Sequence, residues 1–180
     1  MPSLHAFAVP PLLNGMRNMI AILEKARASP LDEATILNAR IHPDMLPFPV
    51  QIFLVATVPG DLPSQLNPSL PKRPTGPPDE TPTLDSLLER LRVTISFLES
   101  IKPEDLDGRD EERVSFTYGG SDDGFTAEYS AVEFVGDHAH PNFWFHFTTA
   151  YNLLRGAGLA IGKRDFLNAA GLRKWEPVKA

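Results

Sequence analysis

Residues 140–155 combine two histidines, two asparagines and a tyrosine with a sequence that is otherwise largely aromatic and aliphatic. A polar group that enters an apolar interior needs a hydrogen-bond partner, and an unpaired group costs about 1–3 kcal/mol. The segment is therefore predicted to carry either a structural hydrogen-bond network or a functional site.

His146 is the strongest candidate for a catalytic residue, because imidazole titrates near neutral pH and ligates transition metals. On a helix, Asn142, His146 and Thr149 share one face, since they are four and three residues apart. The alternatives for His146 are proton transfer or ligand binding, metal binding, and a structural hydrogen bond to Asp44 or to a backbone carbonyl. The usual helical metal pair is His-x-x-x-His, and Asn142 occupies the earlier position here. We therefore predict no metal and no other cofactor.

Arg40, Asp44 and Tyr151 join Asn142 as candidate binding residues. Arg40 and Asp44 are expected one helical turn apart, where they either form an ion pair or present a guanidinium to a substrate carboxylate. Tyr151 either donates a hydrogen bond into a pocket or packs its ring with the hydroxyl pointing outward. His138 and His140 are expected to be exposed or partly exposed.

Composition excludes several classes of function. The formal net charge is −6, with 23 acidic and 17 basic residues, which disfavours nucleic-acid binding. The chain has no cysteine, so disulfides and thiolate sites are excluded. No signal peptide or membrane span is visible, and the expectation is a soluble cytoplasmic protein without a membrane partner. Nucleotide-binding and Gly-x-Ser-x-Gly motifs are also missing.

Apolar periodicity predicts a first helix over residues 9–28, with a stripe at three- and four-residue spacing. A short helix over 31–39 follows, and Asp32 is a candidate cap. The apolar run after Pro47 fits either a buried helix or a strand, and Pro59 is expected to end it.

Residues 59–82 hold eight of the eighteen prolines. Proline blocks helix interiors, so this segment is predicted to be a surface excursion with loop or polyproline conformation. The alternative is a ligand for a domain that binds proline-rich peptides. Few large apolar residues occur here, so deletion of residues 60–78 is expected to be tolerated.

The rest of the chain reads as a helix, a hairpin and a final helix. The helix is predicted over 83–102, and alternating residues at 114–118 and 125–129 favour a β-hairpin with glycine-containing turns. The final helix is predicted over 130–155, with a kink or break at Pro141. Beyond it, Phe166 and Leu167 are expected to anchor a docking extension.

These landmarks resemble the DUF1993 family over roughly residues 4–58 and 79–168. The most specific matching block is Pro141-Asn142-Phe143, Phe145-His146, Thr148-Thr149-Ala150-Tyr151 and Leu154-Arg155, followed by Ile161-Gly162-Lys163 and Asp165-Phe166-Leu167. The resemblance implies a mainly α, DinB/YfiT-like four-helix bundle with a β-hairpin before the last helix. The wider superfamily contains metal-dependent, thiol-using transferases and isomerases with three histidine ligands.

One departure from the family pattern follows Val50-Gln51-Ile52, where relatives continue with a polar helical segment. Here the chain becomes apolar and then rich in proline, so the second bundle helix is expected to be shortened or replaced. A divergent insertion and a gene-model error are both possible origins of this difference.

The sequence thus predicts a single helical domain over residues 1–180, with a tail from 168. The first functional hypothesis is a small-molecule-binding protein, with an isomerase, cyclase or transferase activity in a pocket between the helices. That pocket would be lined by the candidate residues Arg40, Asp44, Asn142, His146 and Tyr151. The competing hypothesis is a non-enzymatic helical scaffold that forms a homodimer.

Overall fold

A computed structural model describes residues 2–119 and 124–176. Four long helices form the bundle: α1 (Leu4–Arg27), α3 (Phe48–Leu66), α4 (Leu84–Glu99) and α7 (His140–Gly156). In the bundle α1 packs on α4, α4 on α3, α3 on α7 and α7 on α1. The shorter elements are α2 (Glu33–Leu37), α5 (Pro103–Leu106), β1 (Arg113–Tyr118), β2 (Phe125–Ser130), α6 (Ala131–Glu133), a π-helix (Phe134–Ala139) and α8 (Lys163–Asn168). The predicted mainly α class, with a hairpin before the last long helix, is confirmed.

The first helix starts earlier than periodicity indicates, because the Ser3 side chain accepts a hydrogen bond from the Ala6 N–H and caps it. Its predicted apolar stripe is buried, with Leu12, Met16 and Met19 fully inside the core. Among the described residues, no helix is both long enough and apolar enough to cross a membrane.

The prediction that Pro59 ends the second bundle helix is wrong. Helix α3 runs through Pro59 and Pro63 as far as Leu66, so it is neither shortened nor replaced. Each interior proline removes one backbone hydrogen bond. Leu62 and Leu66 are each only 1% exposed, and burial of a leucine contributes about 1.5–3 kcal/mol. Burial of this last turn therefore offsets the lost hydrogen bonds.

The proline-rich excursion is consequently confined to residues 67–82, and it is tied to the bundle. The buried Arg90 side chain donates hydrogen bonds to the carbonyls of Gly76 and Pro77 at 2.9 and 2.8 Å. It also pairs with Asp79 at 2.9 Å and lies 5.2 Å from the centre of the Phe53 ring. A deletion of residues 60–78 would remove a core turn and these contacts, so on the structure we expect it to destabilise the fold rather than to be tolerated.

The final helical stretch is continuous from α6 through the π-helix into α7, so of the kink or break predicted at Pro141 the break does not occur. Pro141 lies in the first turn of α7, directly after the π-helix, where the regular α-helical hydrogen-bond pattern has only begun. Beyond α7, Phe166 packs against the aromatic rings of the helix, whereas Leu167 is 53% exposed. Phe166 is thus an anchor of α8, and the prediction for Leu167 is wrong.

The hairpin has the predicted strands, in an antiparallel register that pairs Val114 with Tyr129 and Tyr118 with Phe125. One face of this ribbon, carrying Phe116, Tyr118 and Tyr129, covers the π-helix. Part of the predicted turn, from Gly120 to Asp123, lies outside the described residues.

Substitution of Leu62 by alanine tests whether the proline-containing end of α3 belongs to the core. We expect Leu62→Ala to lower the free energy of unfolding by about 2–5 kcal/mol, the cost of truncating a buried leucine. Leu46→Ala is the matched control, because Leu46 is 47% exposed, and its cost should stay within about 0.5 kcal/mol. Urea unfolding followed by circular dichroism measures both, and equal costs would contradict a buried end of α3.

Candidate functional site

The inner face of the hairpin and the π-helix together build a cluster of three polar aromatic side chains. The Tyr118 hydroxyl lies 2.6 Å from the Tyr129 hydroxyl and 2.8 Å from Nδ1 of His138. The His138 ring is held between Phe116 and Phe134, with ring centres 4.3 and 4.9 Å away. Packing and hydrogen bonding therefore fix both the plane and the direction of this imidazole.

The π-helix accounts for the orientation of His138. A π-turn contains one more residue than an α-turn, and such segments often mark functional sites. Here Phe134, Val135 and Ala139 face the core, while His138 is half-buried and directed toward the hairpin. The sequence shows the strand alternation of Phe116 and Tyr118, but helical periodicity does not show a π-helix.

Burial sets the protonation of this cluster. It lowers the pKa of His138 below the usual imidazole range, so this side chain is neutral at pH 7. Burial, together with the hydrogen bond to Tyr129, raises the pKa of Tyr118 to about 12, so its hydroxyl keeps the proton. Nδ1 of His138 is hydrogen-bonded to the Tyr118 hydroxyl, and Nε2 has no hydrogen-bond partner among the described residues.

A groove runs between the hairpin and the start of α7, and we call it the hairpin groove. Its volume is about 500 Å³, and it is shallow and largely open to solvent. Its walls include Phe116, Thr117 and Tyr118 from the hairpin and Asp137, His138 and Asn142 from the helical side. Asn142 is the predicted binding residue that the structure places in this groove.

His146 lies elsewhere, at the contact between α7 and α3. Its Nδ1 atom is 2.8 Å from Oε1 of Gln51, and Nε2 of Gln51 donates to the Leu46 carbonyl at 3.0 Å. Gln51 is only 1% exposed, and burial lowers the pKa of His146. His146 thus helps to join two bundle helices, and its partner is the Gln51 amide rather than Asp44 or a backbone carbonyl.

The other candidate binding residues are spread over the molecule. Residues 40–46 are not helical, so the expected ion pair between Arg40 and Asp44 does not form. Arg40 instead donates to the Met45 carbonyl at 2.6 Å, and Asp44 pairs with the exposed His42. The Tyr151 ring packs edge-on against Phe166 at 5.6 Å. The structure therefore does not bring the five predicted residues into one pocket.

The three-histidine metal centre of the wider superfamily does not fit these residues. In the described ranges, no three histidine, aspartate or glutamate side chains converge as metal ligands would. His146 faces the amide of Gln51, and the position one turn before it on α7 is Asn142. Amides are poor substitutes for imidazole as ligands of zinc or nickel, so this donor set does not suit either metal.

His138 is a functional candidate that the sequence analysis does not identify. The sequence predicts an exposed or partly exposed side chain, and His138 is half-buried, as is His140. Nε2 of His140 is buried without a hydrogen-bond partner among the described residues, whereas the His138 ring lines a groove. The available signal is the alternation that puts Phe116 and Tyr118 on one strand face.

Comparison with known proteins finds a matching family and a solved structure with a similar fold. Residues 4–167 match the family model described as a domain of unknown function, DUF1993. A crystal structure of a DinB family member protein from Shewanella denitrificans is similar, with a TM-score of 0.77 and 26% sequence identity. The alignment covers 98% of this chain and 95% of that chain. No curated protein matches the sequence.

Proposed function

We propose that this chain, which belongs to the DUF1993 family of unknown function, binds a small molecule in the hairpin groove. One observation carries the proposal. An imidazole with one uncommitted nitrogen and a side-chain amide, those of His138 and Asn142, line the same groove beside aromatic rings. Few polar groups against an aromatic wall are typical of small-molecule sites.

The dimensions and charge of the groove narrow the class of ligand. A volume of about 500 Å³ lies within the usual range for small-molecule sites, roughly 300–1,000 Å³. Among the described residues that line it, the charged one is Asp137, and none is lysine or arginine. A neutral or cationic compound with a planar group therefore suits the groove better than a phosphate or a carboxylate. An isomerase, cyclase or transferase activity is compatible with such a ligand.

Substitution of Asn142 tests the binding proposal. Benzamide, a neutral planar amide, should shift backbone amide signals of β1 and the start of α7 in two-dimensional NMR spectra. Asn142→Ala should weaken this binding about 10-fold, since one hydrogen bond contributes about 0.5–1.5 kcal/mol. Asn152→Ala, an exposed asparagine later on α7, is the matched control and should leave the affinity unchanged. Shifts confined to other surfaces would contradict the proposal.

A second candidate function, the dimerising scaffold, is favoured by an exposed apolar patch beside the contact between α7 and α3. The patch consists of Leu46 and Phe145, which are 47% and 55% exposed. Both lie at this contact, because Phe145 precedes His146 and the Gln51 partner of His146 bonds to the Leu46 carbonyl. Exposed apolar patches mark interaction surfaces, and a second copy of the chain would cover this one.

Sedimentation of a charged variant tests the scaffold hypothesis. The unmodified chain should sediment as a dimer at micromolar concentration, and Phe145→Asp should sediment as a monomer, because a carboxylate cannot be buried in an apolar interface without a partner. Leu167→Asp, at another exposed apolar position, should remain dimeric. A monomeric unmodified chain would contradict dimerisation through this patch.

A further inference from the structure

We propose that His138 is the proton-transfer residue of the hairpin groove and that it moves a proton between carbon atoms of a bound planar carbonyl compound. The inference rests on the proposed function, because it requires a ligand in this groove. It goes further by naming the reacting atom, Nε2 of His138, and the class of substrate, a carbonyl compound with a C–C double bond between its β and γ carbons.

The two ring nitrogens of His138 have different surroundings. Nδ1 is bonded to the Tyr118 hydroxyl at 2.8 Å, and Nε2 has no partner within the described ranges although the ring lines the groove. The other two half-buried histidines of this helical stretch differ. Nε2 of His140 is enclosed and unpartnered among the described residues, and His146 faces the Gln51 amide. Of these three imidazoles, His138 is the one that lines the groove.

Nδ1 of His138 contacts the Tyr118 hydroxyl, and that hydroxyl contacts the hydroxyl of Tyr129. The distances are 2.8 Å from Nδ1 to the Tyr118 oxygen and 2.6 Å from there to the Tyr129 oxygen. A hydroxyl both donates and accepts, so this chain of hydrogen bonds can run in either direction. When Nδ1–H donates to Tyr118, Nε2 carries a lone pair and accepts a proton. When Tyr118 donates to Nδ1, Nε2 carries a proton and donates it.

A residue that both accepts and donates at one atom suits an isomerisation. Nε2 of His138 takes a proton from the carbon next to the carbonyl, and the electron pair of that C–H bond moves into an enolate. The amide N–H of Asn142 is the neutral donor in the same groove for the developing oxygen charge. The proton then returns from Nε2 to the γ carbon of the substrate, and its double bond moves next to the carbonyl group, so the reaction needs no other reagent.

The surroundings of His138 favour the neutral, reactive form. The titratable groups around it are Tyr118 on β1, Tyr129 on β2 and Asp137 beside it on the π-helix. The rings of Phe116 and Phe134 pack against its two faces. A general base that is neutral at pH 7 accepts a proton without first losing one.

The probe for this proposal is 5-nitrobenzisoxazole, a neutral planar molecule with an acidic C–H bond. Removal of that proton by a base breaks the N–O bond and releases a coloured cyanophenolate, with no other reactant. We expect saturable turnover by the full chain. His138→Gln should lower kcat about 100-fold, which is within the contribution of general acid–base catalysis. The exposed His42→Gln should leave the rate unchanged.

The variant Tyr118→Phe tests whether the Tyr118 hydroxyl takes part in proton transfer or has only a structural role. This variant keeps the ring and removes the hydroxyl, so we expect a lower kcat, an unchanged KM and a displaced pH–rate profile. In the unmodified chain the rate should rise with pH, with its midpoint below the usual imidazole pKa, because burial lowers the pKa of His138 and the unprotonated form is active. Circular dichroism should show that both variants are folded.

Benzamide binding distinguishes the failure of this inference from failure of the proposed function. If His138→Gln still binds benzamide in the hairpin groove and loses turnover, the assignment is supported. If benzamide binds in the groove and His138→Gln turns over the probe as fast as the unmodified chain, proton transfer by His138 is wrong and the binding proposal stands. If benzamide does not bind in the groove, both proposals are wrong.

Discussion

Burial of the α7 aromatic stripe against α1 is the interaction on which the rest of this structure depends. Phe143 and Phe147 are fully buried, and Phe143 approaches α1 at Gly15, where a Cβ atom would lie 2.6 Å from its ring. A side chain at position 15 would therefore push the helices apart. This contact constrains the rotation of α7 about its axis, and the preceding helical stretch continues directly into α7.

The π-helix before α7 directs His138 toward the hairpin. One residue in an α-helix corresponds to a rotation of about 100°, since a turn holds 3.6 residues. The wider π-turn therefore changes where His138 points relative to Phe143. In the observed arrangement Phe134 and Ala139 are buried in the core, while the His138 ring is hydrogen-bonded to Tyr118 on the hairpin. The same long helical stretch thus carries a structural histidine, His146, and a histidine that lines a groove.

Helices with a regular apolar stripe can be predicted from the sequence. Features that depend on contacts between distant parts of the chain cannot. The stripes of α1 and α4 are readable because Leu12 and Leu91 repeat at helical spacing with their neighbours. The prediction for α3 is wrong because a local rule about proline takes no account of burial, which the sequence does not display for Leu62. Of the candidate site, Asn142 is predicted, but the bond between Tyr118 and His138 depends on hairpin register and on the π-helix.

The most direct test of this account is the ¹⁵N chemical shifts of the His138 imidazole at pH 7, in the unmodified chain and in Tyr118→Phe. The structure predicts two distinct nitrogen shifts, because Nδ1 is hydrogen-bonded to the Tyr118 hydroxyl and Nε2 has no partner among the described residues. Loss of the Tyr118 hydroxyl should move the Nδ1 signal most. Averaged nitrogen shifts like those of an unstructured histidine peptide, unchanged in Tyr118→Phe, would contradict the arrangement from which the function is argued.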